Sequence, residues 1–534
     1  MLILDTHQLG DNYEQLSDDE LYWFYNANDV CVTFDVFNEL TAQMDEVSRA
    51  TYQTSMATLA PVMEMMLEGL PVSTSRQAEV IVLFEERQKK LEAGFQRLCV
   101  EGLGLPADRA KRKGRTPMAI NPASPKDVQY LLYTVLGIPT RKRKRKGADF
   151  ATPLSDRATL ESLRTYYYAE PFINFILALR DVTKALGFLR TKTDEDYRFR
   201  CSLNVAGTNT GRLSSSFSDT GSGTNLQNVS GRLKDIFVAD DGWSIVDIDL
   251  EQGDSRGVAA IAWNWFVEER GEAYAGSYLD ACESGDLHTA VSRMAWPDID
   301  WGDDPAKWRS IAEQPFYRDK SRRDLSKAAG HGSNYGALPQ TVAGHAHIPV
   351  DAAEDFQRAY FGAFPVIVDW QNETLHRLET TRTLITPWGR RRYFWGDPKA
   401  NDTRNAAIAY SPQSTTGEFI NRGAIQLWHY RNRHNLPIRF LLQVHDSLVL
   451  MVKTEQLPEL MPRIMSALRV VLPLERGREF TIPLAAAVGW NYGPYHPRDN
   501  PFGLKGWKGH DDRQPPKRVK GIQNLLNTPL DSFA

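Results

Sequence analysis

The chain has 534 residues, 42% hydrophobic and 24% charged, with a formal net charge of −4. That length exceeds one hydrophobic core and predicts roughly two to four lobes. The near-neutral balance excludes a globally basic nucleic-acid binder, so any phosphate-binding surface must be local. No apolar run reaches the length of about 18 residues that a membrane-spanning helix needs.

The N-terminal stretch MLILDTHQLGDNYEQ lacks the basic-then-apolar form of a secretory signal. Cys31, Cys99, Cys201 and Cys282 are scattered, which supports neither a zinc site nor a disulfide framework and points to a reducing compartment. Residues 1–45 are acidic and helical in pattern. In the following region, AEVIVLFEERQKKLEAGFQRL repeats apolar residues at three- and four-residue steps and predicts a long helix. Two basic clusters come next: Arg109, Lys111, Arg112, Lys113 and Arg115, then the run from Arg141 to Lys146. Gly and Pro flank both, so they read as exposed loops, either simply solvated or gripping a phosphate backbone.

The segment SIVDIDLEQGDSRGVAAIA changes period in its middle. As a strand, SIVDIDL sets Val246, Ile248 and Leu250 on one side and Asp247 and Asp249 on the other. From Ser255 the pattern is helical, which leaves Asp249 at a strand end. In SRRDLSKAAGHGSNYG, Arg323, Lys327 and His331 are four apart, and Tyr335 continues the row. On a helix they form one stripe with a drift of roughly 40° per step. RFLLQVHDSLVLMV has two apolar arms around His445-Asp446 and predicts a tight, buried hairpin with the carboxylate at its tip. Two carboxylates can hold two divalent cations about 3.5–4 Å apart, and a cationic helix facing them can hold a triphosphate. The bland alternatives are turn-forming aspartates and a solvated Arg/Lys face. The tail, 494–534, is rich in Pro, Gly and Lys and reads as loosely ordered.

In this order the motifs resemble DNA polymerase family A. Asp249-Leu-Glu-Gln-Gly-Asp254-Ser-Arg256 is similar to the family's D-Y-S-Q-I-E-L-R. Arg323-x3-Lys327-x3-His331-Gly-x2-Tyr335-Gly336 is similar to R-x3-K-x3-F-G-x2-Y-G, and Gln443-Val-His445-Asp446-Ser447 to Q-V-H-D-E. TNTGRLSSS, TNLQNVS, GDLHTA and AYSPQSTTGE resemble further family segments, and AINPASPKDVQYLLYTVLGIPT fits the family's thumb. The resemblance implies an α+β right-hand fold: a palm antiparallel sheet with helical thumb and fingers. The implied layout is an exonuclease-domain remnant at 1–45, a palm/thumb entry at 46–74, the thumb at 75–190 and the first part of the palm at 191–285. Fingers follow at 286–405, with an insertion near 296–319, then the second part of the palm at 406–493 and the tail.

The resemblance further implies a DNA-directed DNA polymerase adding dNTPs to a primer with two Mg²⁺ ions, for which Mn²⁺ can substitute. Asp249, Asp446 and the Leu250 carbonyl would hold metal, with Lys327 catalytic beside them. Arg323, Lys327 and His288 would hold phosphates, while His331, Tyr335, Asp254 and Gln252 would line the nucleotide pocket. Arg212, Gln413, His445, Asn228, Gln227 and Arg256 would meet DNA; donors in the minor groove sense pair geometry with little sequence preference.

Three positions depart from the pattern. Asp254 stands where the family has Glu, which implies weaker rejection of ribonucleotides. His331 replaces an aromatic ring, which implies moderate dideoxynucleotide acceptance. Ser447 replaces a carboxylate taken as auxiliary. Tyr25-x3-Asp29 resembles the last motif of the family's 3′–5′ exonuclease without the earlier ones, so proofreading is not expected of this chain; the readings are a vestigial segment or a truncated chain, which are the blander ones, or a split enzyme with a separate exonuclease or processivity subunit as partner. The expected setting is phage-type replication in a host cytoplasm, with no membrane. The rivals are a single-subunit RNA polymerase, which shares the H-D-S motif, and a non-catalytic DNA-binding scaffold.

Overall fold

The computed structural model describes residues 17–110, 117–144, 151–218, 222–317, 320–346 and 348–514. Lys111, Arg112, Lys113, Arg115, Arg145 and Lys146 of the basic clusters, and the tail segment GIQNLLNTPLDSFA, lie outside the described residues. No helix among those residues is long and apolar enough to cross a membrane.

At the centre is a five-stranded antiparallel sheet: β1 (Trp243–Leu250), β2 (Ile438–Val444), β3 (Ser447–Lys453), β4 (Leu484–Gly489) and β5 (Lys505–Gly506), in the order β2-β3-β1-β4-β5. The alternation expected for β1 holds from Val246 to Leu250, with Val246, Ile248 and Leu250 buried and Asp247 and Asp249 less covered. Ile245 and Val246 are neighbours in sequence and both fully buried, so both faces of the sheet are covered there. Asp249 alone emerges into solvent. The expected hairpin forms between β2 and β3, with Val444 paired to Ser447 across the two-residue turn His445-Asp446. His445 takes a φ of +54°, a left-handed conformation that non-glycine residues adopt uncommonly and that His tolerates better than most.

Helices surround the sheet. α1 (Asp18–Gln43) begins with a capping box between Ser17 and Glu20 and buries none of its residues. α2 (Thr74–Arg97), the long helix expected from its periodicity, packs on α3 (Glu170–Leu189). With the turns between them they enclose a separate core of Phe95, Cys99, Leu131, Leu132, Ile173 and Ile176. The main core gathers around the sheet and the helices that follow it.

α4 (Gly253–Arg270) starts two residues earlier than expected, because Gln252 takes a φ of +57° and turns the chain sharply out of β1. Gly253 then lies against the long helix α9 (Asn401–His434). A Cβ at Gly253 would stand 2.5 Å from Thr416 Cγ2, so no larger residue fits without displacement. Between α4 and α9 the chain forms α5 (Leu287–Ala295), α6 (Pro305–Ala312), α7 (Arg322–Asn334) and α8 (Val350–Ala363). A buried polar knot fixes the end of α7. Asn334 Nδ2 donates to the Tyr278 hydroxyl at 2.9 Å, and the Tyr360 hydroxyl of α8 donates to Asn334 Oδ1 at 2.9 Å.

Candidate active site

The register of the sheet brings the two aspartates together. Ser447 pairs with Asp249, so the hairpin tip lies against the end of β1, and the Leu250 amide donates to the Asp446 carbonyl at 3.3 Å. Desolvation, then the negative charges of Asp446 and Asp247, push the Asp249 pKa up to about 7, while Lys327 on α7 pulls the other way. Charge crowding of this kind is what raises one carboxylate of a close pair. Asp247 is a third carboxylate on the same face that sequence reasoning did not assign to the site. Burial pushes its pKa up, against the pull of Lys234 and of the Ser447 hydroxyl, and its Oδ1 is buried with no hydrogen-bond partner among the described residues. The Lys234 ammonium sits 4.1 Å over the Tyr492 ring.

Facing the carboxylates is α7. Its start is fixed by a reciprocal cap in which Ser321 and Asp324 each accept from the other's backbone amide. Leu325, Ser326, Ala329, Gly330, Ser333 and Asn334 are buried, which leaves Lys327 and His331 exposed on the opposite face. Lys320, Asp324, Lys327, Ala328 and His331 line one groove. His331 stacks edge-on against Tyr335, with ring centres 4.8 Å apart.

Arg323 is not a solvated surface cation. It grips Asp286 with both branches of its guanidinium, at 2.7 Å from Nε and 3.1 Å from Nη2. Burial works to raise the Asp286 pKa, but Arg323 and Thr289 hold it below the usual carboxylate range. Sequence reasoning missed Asp286, although it stands two residues before His288 in the same GDLHTA motif. Burial, helped by the charges of Arg323, Lys327 and His331, pushes the His288 pKa down to about 4, so His288 is a neutral hydrogen-bonding group at neutral pH.

Arg212 Nη2 donates to Asp254 Oδ1 at 2.9 Å, and Arg212 Nε donates to the Gln413 carbonyl at 3.2 Å. The Tyr335 hydroxyl is buried beside Asp254 and Gln413, and burial first, then the Asp254 charge, raise its pKa. Arg212, Asp254, Gln413 and Tyr335 thus form one wall.

Two residues expected at DNA have different surroundings. Arg256 is 4% exposed within α4, so it lacks the open surface a phosphate or base contact requires. Gln227 Nε2 donates to the Gln443 carbonyl at 3.0 Å and braces the hairpin from outside the sheet. Asn228 and His445 are exposed. Gln252 is half-buried in the turn between β1 and α4, with its side-chain oxygen unpartnered among the described residues.

Oxygen donors without sulfur or imidazole, crowded enough to raise one carboxylate toward neutrality, fit Mg²⁺, which takes few protein ligands plus water and phosphate oxygens. Among the described residues no ready-made cage of three or more His, Cys, Asp or Glu side chains occurs.

Known proteins are similar to this chain in sequence and fold. The chain is 25% identical over 464 residues to the thermostable DNA polymerase I of Thermus thermophilus, covering 80% of this chain and 50% of that protein. It is 26% identical over 387 residues to DNA polymerase I of Mycobacterium tuberculosis, covering 70% and 38%. The chain therefore spans half or less of the length of these relatives. Its fold matches the POL domain of Pol1 from M. smegmatis, solved in complex with DNA primer-template and dNTP, with a TM-score of 0.62 at 22% identity, covering 82% of this chain and 69% of that one. The fold is thus α+β, of the right-hand polymerase kind. The sequence pattern described as DNA polymerase family A matches residues 107–296 and 305–493, well over half of the chain, and to that family this chain belongs.

Proposed function

We propose that this chain is a template-directed DNA polymerase that joins dNTPs to a primer 3′-hydroxyl. The observation that carries the reading is the register that sets Asp446 against Asp249 with Lys327 within electrostatic reach. On this reading the sheet is the palm, α2 and α3 belong to the thumb, and α5 to α8 belong to the fingers.

Asp249, Asp446 and the Leu250 carbonyl would hold two Mg²⁺ ions, which supply positive charge for the attacking and departing oxygens when bound. Lys327 and Arg323 bind the triphosphate and counter the charge that builds as pyrophosphate leaves. To do so Arg323 exchanges Asp286 for phosphate oxygens. Neutral His288 adds a hydrogen bond without adding charge. Tyr335 and His331 flank the base and sugar, and Asp254, held by Arg212, closes the sugar side. Gln413 and His445 would meet minor-groove edges at the primer end.

Primer extension on a primed template with Mg²⁺ tests this. Extension with dNTPs that disappears in Asp446→Ala supports the reading. Preference for NTPs would make the chain an RNA polymerase, and tight DNA binding with no extension would make it a scaffold. A separate exonuclease subunit and a role in phage replication are further proposals. An added 3′–5′ exonuclease chain should co-purify with this one in the first case.

A further inference from the structure

Of the segment 296–319, expected as an insertion, the described residues 296–317 lie beside the proposed triphosphate site. The family match breaks at 297–304, and α6 begins directly after the break. The segment is clamped to its neighbours by aromatic contacts. The Arg293 guanidinium of α5 lies 3.3 Å from the Trp308 ring centre, and Arg322 of α7 lies 4.0 Å from that of Phe316. Strand Pro315–Tyr317 then pairs with Lys320–Ser321, the two residues that lead into α7. The helix α6 is therefore tied to α7, and it carries a guanidinium on the side of Arg323.

That guanidinium is Arg309. Its Nε lies 2.8 Å from Glu313 and 3.9 Å from Asp286 Oδ2, the same oxygen that accepts from Arg323 at 2.7 Å. Glu313 is in turn 3.9 Å from Arg323. Two cations and two carboxylates so alternate in one network. Glu251, two residues beyond Asp249, adds to the negative charge felt at Arg309. The Arg309 side chain is 62% exposed and Glu313 46%. An exposed pair one helical turn apart is weak in water and exchanges easily. A triphosphate carries more charge and more acceptor oxygens than either carboxylate and matches the fork of a guanidinium.

We propose that Arg309 is a further triphosphate-binding residue, joined to Arg323 through Asp286 and Glu313, which occupy both guanidinium groups until phosphate displaces them. This rests on the reading of the site as a nucleotidyl transferase. Its consequence is a longer cationic face: Lys327 and Arg323 on α7, extended by Arg309 on α6.

The test is calorimetric titration of the full chain with inorganic tripolyphosphate and Mg²⁺, alongside dNTP-dependent primer extension. Arg309→Ala should weaken tripolyphosphate binding about tenfold, Arg309→Lys less, and Glu313→Gln should tighten it about two- to threefold. In primer extension Arg309→Ala should raise the dNTP KM with kcat within about twofold, the mark of a binding contact made equally in ground and transition states. Unchanged tripolyphosphate affinity in a folded Arg309→Ala protein would overturn the proposal, as would wild-type protein that extends primers yet does not bind tripolyphosphate. Arg309-dependent binding in a wild-type protein that extends no primer would instead overturn the polymerase reading and leave the phosphate site standing.

Discussion

The two walls of the site are built by different physics. The carboxylate wall is set by backbone: Asp249 ends β1 and Asp446 sits in the turn between β2 and β3, Ile248 and Leu448 beside them in the paired strands are fully buried, and the Leu250 amide ties one tip to the other. The cationic wall is set by side chains: Arg323 reaches across to Asp286, and Arg309 is held by Glu313 one turn along its own helix. Backbone placement lets like charges be forced together at a cost that a counter-ion repays. Side-chain placement lets opposite charges change partners at little cost. On the proposed reading a phosphate-transfer site would gain from both, because a metal-binding end must hold its geometry while a nucleotide end must fill and empty.

Substitutions can break this contrast, beginning with the rigid wall. Asp446→Ala should lower primer extension by about 10³-fold or more, the scale of several kcal/mol of lost transition-state stabilisation, measured by single-turnover kinetics. Lys327→Ala, on the exchangeable wall, should cost about 10²-fold in kcat/KM for dNTP. Gly253→Ala places a Cβ 2.5 Å from Thr416 Cγ2. It should destabilise the fold by about 1–3 kcal/mol in denaturant titration, and the double variant with Thr416→Ser should recover part of that loss.

Smaller effects sharpen the comparison. Asp254→Glu should strengthen ribonucleotide rejection several-fold in a dNTP/NTP competition assay, since the added methylene extends the sugar-side wall; equal rejection would remove Asp254 from that role. The smallest expected effect is on pH dependence. His288 has a folded pKa of about 4 against an ordinary 6.5. Between those values the unfolded chain binds a proton that the native chain refuses, so stability should rise with pH across about 4 to 6.5. In thermal melts His288→Asn should flatten that rise.

The aspartate pair was legible because strand alternation and a two-residue turn are local signals, and each placed a carboxylate at a tip. The row Arg323, Lys327 and His331 was legible for the same reason, at helical spacing. The pairing of Arg323 with Asp286 was not, because its partner lies 37 residues away and α6 comes between. Nor was the burial of Arg256: sequence identifies a cation on a helix but not that α4 is covered on every side from Ser255 to Trp263. Asp247 was seen as lying on the same side as Asp249, yet the covering of both faces at the start of β1 depends on chain far along the sequence.

α1 has a consequence of another kind. None of its twenty-six residues is fully buried, and Tyr22, Trp23 and Phe34 are each more than half exposed, so it draws little stability from a core. A helix on its own propensity is marginal, and local opening is governed by the buried contacts an element makes. In hydrogen–deuterium exchange the amides of Asp18–Gln43 should lose protection long before those of β1 and β3, so α1 would unfold as a unit of its own while the central sheet stays closed.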